Sequence, residues 1–380
     1  MRKRAKFIVV CLWLFFMSGC GDRLDVEDLT LSLAYGIDLD KDNELMVYQI
    51  SPVFSKDTKK KYEVYGSKVN TVRQARERFN STANGQIATG KVQVFLLGDK
   101  ILKKEGSVPY LDVAYRDPKN TGNMRMVAVK GPVSSVLNSK FSDKPRFPVY
   151  INNVIDVANQ SNETVFTTLQ KFHKMFFDKG ITPAISEIKA DKTGIVVTGS
   201  ALLNDRGMYK LSLTRRESAL LLILQDEAKL PVSLTIRMPP GSFKTLNFRE
   251  NVKGTNFVTI NVNKINRRIS TNYRKNHFSF DVKMKLDVTL VERTFHIDME
   301  NEKEKEQLTL LITDQLEKEL NRLVKKVQKH HLDPFGFGWY ARAYQYQQWK
   351  KIDTHWMDEF SRATVRVAPM IQIKAHGVIQ

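Results

Sequence analysis

The sequence predicts an α+β fold, with helices packed on mixed sheets and no regular βαβ repeat. Three observations carry that expectation. The runs "KVQVFLLG" and "MRMVAVKG" are short and continuously apolar, the pattern of strands buried on both faces, and they stand in irregular order among helix-like segments. Further on, "NFVTINVNKINRRIS" and "HFSFDVKMKLDVTLVERT" are long segments with partial period-two alternation. The longest helical stripe, "NEKEKEQLTLLITDQLEKELNRLVKKVQKH", follows directly after them.

At the N-terminus, Arg2, Lys3, Arg4 and Lys6 precede an apolar run of ten residues, Phe7 to Phe16. A helix needs about 20 apolar residues to cross a hydrocarbon core, so this run is too short to span and reads as a secretory leader. It ends in Met17-Ser18-Gly19-Cys20, which resembles a bacterial lipobox with Met17 where Leu is usual. In that class of leader the cysteine is lipidated and becomes the first residue of the mature chain. The expectation is a leader over 1–19, lipid attachment at Cys20 and a tether over 20–28. An ordinary exported protein with a cysteine near its cleavage site is the plainer alternative. Cys11 leaves with the leader and Cys20 is capped, so no thiol remains for a disulfide or a thiolate metal site. A diacyl anchor suffices for stable membrane residence, each buried methylene contributing about 0.8 kcal/mol.

The 380-residue chain carries +19, and still about +15 without the four leader cations. Such an excess is an argument about partners and not about fold. For a body held against a bilayer the nearest anionic partner is the headgroup layer. Nucleic acid is disfavoured by export and by the lack of a recognition motif.

Along the mature chain, Leu29 to Asp38 and Leu45 to Phe54 read as strands around an Asp- and Asn-rich turn. "VNTVRQARERFN" has the spacing of one helix face. Pro109, Pro118, Gly131 and Pro132 read as turns. "ETVFTTLQKFHKMFFDKG" reads as a helix with the stripe Val165, Leu169, Phe172 and Phe176, stopped at Gly180. A strand meander with turns at Asp191–Gly194 and Asn204–Gly207 feeds a capping box, Thr214 with Glu217, ahead of an apolar helix. Lys275-Asn276 is a hairpin turn between the two long strands. The long helix puts acids at its start and bases at its end, complementing its dipole, and its stripe is expected to pack across the preceding sheet. "SRATVRVAPMIQIKAHG" closes as a strand. These breaks predict three domains, over 29–190, 191–244 and 245–380.

No HExxH, GxSxG, Walker loop or CxxC occurs. Gly336, Gly338 and Ala341 match the GxGxxA dinucleotide fingerprint on paper, but a charged helix precedes them where a buried strand is required. His330 and His331 are adjacent on a helix end and diverge by about 100°, which suits solvation better than one shared metal. No enzyme activity, cofactor or metal is expected.

The most specific stretch is "KKVQKHHLDPFGFGWYARAYQYQQWKKIDTHWMDEF". Through Asp333, Phe335, Gly336, Phe337, Gly338, Trp349, Lys350, Lys351 and Trp356 it resembles the C-terminal part of the Ger(x)C family, the C subunits of spore germinant receptors. Glu217 and Ser218 at a helix start, and Gly36, Ile37 and Asp38 in an opening strand, are similar to that family too. "YQYQQ" departs from it, since a Tyr-Pro pair is more usual there. The resemblance implies three mixed α/β domains in an elongated arrangement and a lipoprotein on the outer face of the spore inner membrane. It also implies integral membrane A and B subunits as partners, with clustering among other germination lipoproteins. A scaffold role without catalysis is the reading, and a solute-binding lipoprotein of a transporter is the alternative. The expected contact surface is Trp339, Tyr340, Arg342, Tyr344, Lys350, Lys351 and Trp356, because Trp, Tyr and Arg dominate binding hot spots. Core packing is the competing use of these aromatics, and the better one for Phe335, Phe337 and Trp349.

Overall fold

The computed structural model describes residues 29–54, 61–104, 106–117, 120, 122–139, 147–192, 194–244 and 256–375. The leader, Cys20 and the tether lie outside the described residues.

Eight strands form one mixed sheet. They are β2 (Ala34–Leu39), β3 (Leu45–Pro52), β4 (Tyr62–Lys68), β6 (Val94–Gly98), β7 (Arg125–Val129), β8 (Ala184–Asp191), β9 (Gly194–Leu203) and β10 (Tyr209–Thr214), in the order β10-β9-β8-β7-β6-β2-β3-β4. The central pairs β2/β6, β6/β7 and β7/β8 are parallel, which explains the continuous apolar runs. Helices cover both faces. Phe95, Leu97 and Met126 pack under α1 (Val72–Asn80), α2 (Asp99–Lys104), α3 (Val108–Arg116) and α6 (Leu169–Phe177). Leu96, Val127 and Val129 face the other way, under α4 (Val133–Leu137) and α5 (Phe147–Gln160).

The expected opening strand is split. β1 (Leu29–Leu31) pairs in parallel with β5 (Gln86–Ala88), and the backbone then crosses to the large sheet, where Leu33 N–H donates to Ile50 O at 2.9 Å. Gly36, Ile37 and Asp38 have a structural use. The buried Asp38 carboxylate accepts the N–H groups of Leu39 and Val133 at 2.8 Å each, and an added Cβ on Gly98 would lie 2.1 Å from its Cγ. Gly36 has no room either, since a Cβ would meet Val133 Cγ1 at 2.7 Å.

Two expectations are corrected here. Pro109 and Pro132 begin helices: Pro109 sits in the first turn of α3 and Pro132 precedes α4, where a missing N–H costs nothing. The helix expected from Glu163 starts only at Leu169, capped by Thr168. The preceding hydroxyls hold the chain extended, Thr164 Oγ1 donating to Gly199 O and Thr167 Oγ1 to Ala184 O, both at 2.7 Å.

The second sheet has four strands, β11 (Val232–Arg237), β12 (Phe257–Arg274), β13 (His277–Arg293) and β14 (Thr364–Ala375), in that order. Lys275 and Asn276 turn the long hairpin with φ of 51° and 58°, as a primed turn requires. The helix α8 (Glu302–Gln328) lays Leu308, Ile312, Leu316, Leu320, Leu323 and Val327 into one core with this sheet.

The segment 191–244, expected as a separate middle domain, is divided between the two sheets. The β8–β9 hairpin carries the first sheet across position 190 with Ala190 opposite Ile195, while β11 pairs with β12 as the edge of the second. β9 lies between β8 and β10 in the first sheet and is buried along most of its length. Between the two sheets α7 (Arg215–Gln225) starts in the expected capping box and buries Ala219 to Leu224 in the second sheet's core. Its Arg216 pairs with Glu319 at 2.9 Å and Glu217 with Lys326 at 2.7 Å, tying α7 to α8. Ser218 Oγ lies 2.9 Å from Ser200 Oγ on β9.

Candidate interaction surface

The turn after α8 is organised by one carboxylate. Asp333 is fully buried, and its Oδ1 accepts the N–H groups of Gly336 and Phe337 at 3.0 and 3.1 Å. Its Oδ2 accepts Gly338 N–H at 2.9 Å and Trp356 Nε1–H at 3.0 Å. Burial pushes this carboxyl up to about 6, against the downward pull of those four donors. Gly336 takes φ of 76°, which lets the backbone curl around the carboxylate. Gly338 is required by a close approach: a Cβ there would lie 2.5 Å from Gly180 Cα. Thr182 N–H donates to Asp333 O at 2.9 Å, and Asp333 N–H donates back to Thr182 Oγ1 at 3.0 Å. The GxGxxA pattern is thus a carboxylate-centred junction between the two sheets' helices.

Three short helices follow, α9 (Phe337–Tyr344), α10 (Tyr346–Ile352) and α11 (Trp356–Arg362). Their inward aromatics join the core: Phe337 stacks on Phe360, and Trp356 meets Phe278 edge-on at 5.5 Å. Trp356, expected at the surface, is 1% exposed and belongs to this cluster. The reason is the indole N–H, which has its acceptor in Asp333, so burial leaves it satisfied. Trp349, Phe335 and Phe337 are buried, as core packing requires.

The remaining expected residues divide by exposure. Trp339 is half-buried against Gly180 and Gly336. Tyr340 is half-buried too, and its hydroxyl accepts from Arg267 at 3.1 Å. Arg342, Tyr344, Lys350 and Lys351 are exposed. Arg342 reaches Asp178 at 3.1 Å, and beside it Lys179 pairs with Asp353 at 2.8 Å. Lys179 holds the Asp353 carboxyl below the usual range by hydrogen bond and charge. Lys350 and Lys351 have no ion pair among the described residues.

A groove between α6 and α10 brings Arg342 and Lys350 together with Lys174, Phe177, Tyr346 and Trp349. Phe177 is 64% exposed and Tyr346 is 53% exposed. Neither stood in the expected set. Phe177 lies one residue beyond the Phe172–Phe176 stripe, about 100° off the buried face of α6, and that offset was a readable signal. A second groove opens from Phe177 past Lys210, His330, His331 and His355. His331 Nδ1 lies 2.8 Å from Asp358 Oδ1, and among the described residues no three His, Cys, Asp or Glu side chains are placed to hold a metal. The arrangement offers aromatic faces and unpaired cations on a rigid base, the chemistry of a binding surface.

Comparison with known proteins bears on the whole chain. A family model for a spore germination protein N-terminal domain matches residues 22–190, and one for the spore germination B3/GerAC-like C-terminal region matches 198–377. The chain belongs to this spore germination family. The two matches meet at the β8–β9 hairpin, inside the first sheet. Full-length relatives are distant: spore germination protein GerQC of Bacillus cereus is 20% identical over 99% of both chains. Spore germination protein KC of Bacillus subtilis is 19% identical, over 95% of this chain and 92% of that one. The crystal structure of the GerBC protein superimposes with a TM-score of 0.55 at 16% identity, over 90% of this chain and 98% of that one, and so shares the mixed α/β fold. Among the described residues of this family member no helix is long and apolar enough to cross a membrane.

Proposed function

We propose that the chain is the lipid-anchored C subunit of a nutrient germinant receptor. It is held by Cys20 on the outer face of the spore inner membrane and serves as a scaffold, without catalysis, for integral membrane A and B subunits. The single observation that supports a binding role is the exposed Phe177, Tyr346 and Lys350 beside the Arg342–Asp178 pair. Exposed aromatics and unpaired cations on short, firmly based helices are what hot spots are made of. The lipid restricts the body to two dimensions and raises its effective concentration beside membrane partners. Clustering with other germination lipoproteins follows from the same confinement.

Spores whose only copy carries Tyr346→Ala with Lys350→Glu are expected to respond weakly to the cognate nutrient while the protein stays at normal level in the membrane. Cys20→Ala is expected to release the protein from membranes with the same loss of response. A normal response from either strain overturns the proposal.

A further inference from the structure

The second sheet presents its open face to solvent, and the cross-strand register places an array of cations on it. One row reads Ser270, Asp281 and Arg366 across β12, β13 and β14, and the next reads Arg268, Lys283 and Ala368. Asn266, Lys285 and Met370 follow, then Lys264, Asp287 and Gln372. Lys374, also exposed, follows on β14 at the irregularity beyond Gln372. Successive rows are about 7 Å apart and neighbouring strands about 5 Å, so the six cations lie within a patch of roughly 27 by 10 Å. Two carboxylates, Asp281 and Asp287, oppose them. All six cations are exposed, and among the described residues none has a carboxylate within ion-pair distance. Arg268 and Lys283 stand directly opposite each other, a like-charge pairing that works against the sheet.

We infer that this face docks on an anionic lipid surface. Charge complementarity requires an anionic partner, and three features favour headgroups over an acidic protein. The patch spreads over three adjacent strands, a broad face that a layer of headgroups can cover at once. Four of its six cations are lysines, which are depleted from protein interfaces but gain from any layer of anionic headgroups. Met370, 61% exposed, stands in the same row as Lys285, where an apolar side chain reaches the acyl boundary. The inference goes beyond the receptor reading and does not depend on lipidation at Cys20.

The test uses the chain from Gly21 onward, which keeps every described element and lacks the anchor. It is sedimented with vesicles of phosphatidylcholine alone or with one third phosphatidylglycerol, at low and raised salt. Binding to the anionic vesicles only, weakened by salt, is expected. Arg268→Glu with Lys283→Glu and Lys285→Glu should weaken it at least about a hundredfold, at roughly fivefold for each cation lost before the repulsion of the new carboxylates, with an unchanged circular dichroism spectrum. A control reversal at Lys189, Lys192 and Lys329 should weaken it far less. Equal loss in the two triple variants, or no preference for anionic vesicles, overturns the inference. Capture of an acidic membrane protein without vesicle binding overturns the lipid assignment as well. Each of these failures leaves the anchor and the receptor role standing, because the probe carries neither lipid nor subunits.

Discussion

The eight-stranded sheet is covered by helices on both faces, whereas the four-stranded sheet is covered on one. On β6 the consecutive residues Leu96 and Leu97 point to opposite faces and are both fully buried, each in a different core. On β13 the consecutive residues Met284 and Lys285 also point to opposite faces, but only Met284 is buried. The central strands β6 and β7 of the first sheet therefore commit nearly all their side chains to cohesion. The second leaves every other residue along β13 outside the core. The difference was written as apolar runs in one region and alternation in the other.

The sharpest way to break that contrast is truncation on both faces. Leu96→Ala and Leu97→Ala should each destabilise the protein by about 2–5 kcal/mol in urea unfolding. Met284→Ala should fall in the same range, while Lys285→Ala should stay within about 0.5 kcal/mol. A large loss at Lys285 would mean that the open face is covered within the chain itself.

Next in size is the junction between the sheets. Asp333→Asn replaces an acceptor of four N–H donors by a group that turns an N–H₂ toward some of them, and should cost about 2–3 kcal/mol at pH 7. Its pH dependence has a definite sign. The folded carboxyl titrates at about 6 against an ordinary 3.8, so the folded state binds the proton more tightly. The contribution is fully present below about 4, is lost as pH rises to about 6, and is level above. The stability gap between wild type and Asp333→Asn should therefore narrow over that interval; a gap that widens with pH would contradict the buried placement of Asp333. Smallest is Thr214→Ala, which removes the cap of α7 and should cost about 1 kcal/mol of thermal or urea stability. An unaltered midpoint would mean that packing of Ala219 to Leu224 alone fixes the helix.

Where local pattern decided the outcome, the sequence was readable. The alternation of β12 and β13, the Lys275-Asn276 turn, the Thr214 capping box and the stripe of α8 each depend on residues close in the chain. Helices α3 and α4 were not read, because Pro109 and Pro132 act as starts in this context and as breaks in most others. The short α2 and the proline-started α5 gave no stripe that was read either. The division of 191–244 between two sheets was invisible too, since nothing local states which neighbour a strand will pair with. At the surface, Arg342, Tyr344, Lys350 and Lys351 were legible from composition. Trp356 was not, because only the fold brings its indole to Asp333, and Phe177 joined them from a helix far upstream.

The central claim is that the surface around Tyr346 holds an integral membrane subunit. A photo-crosslinking residue placed at position 346 in spores, and a second at the exposed edge position 64, tests it most directly. Adducts with an integral membrane protein from position 346, and none from position 64, are the predicted result. An adduct from position 64 with none from position 346 would contradict the claim.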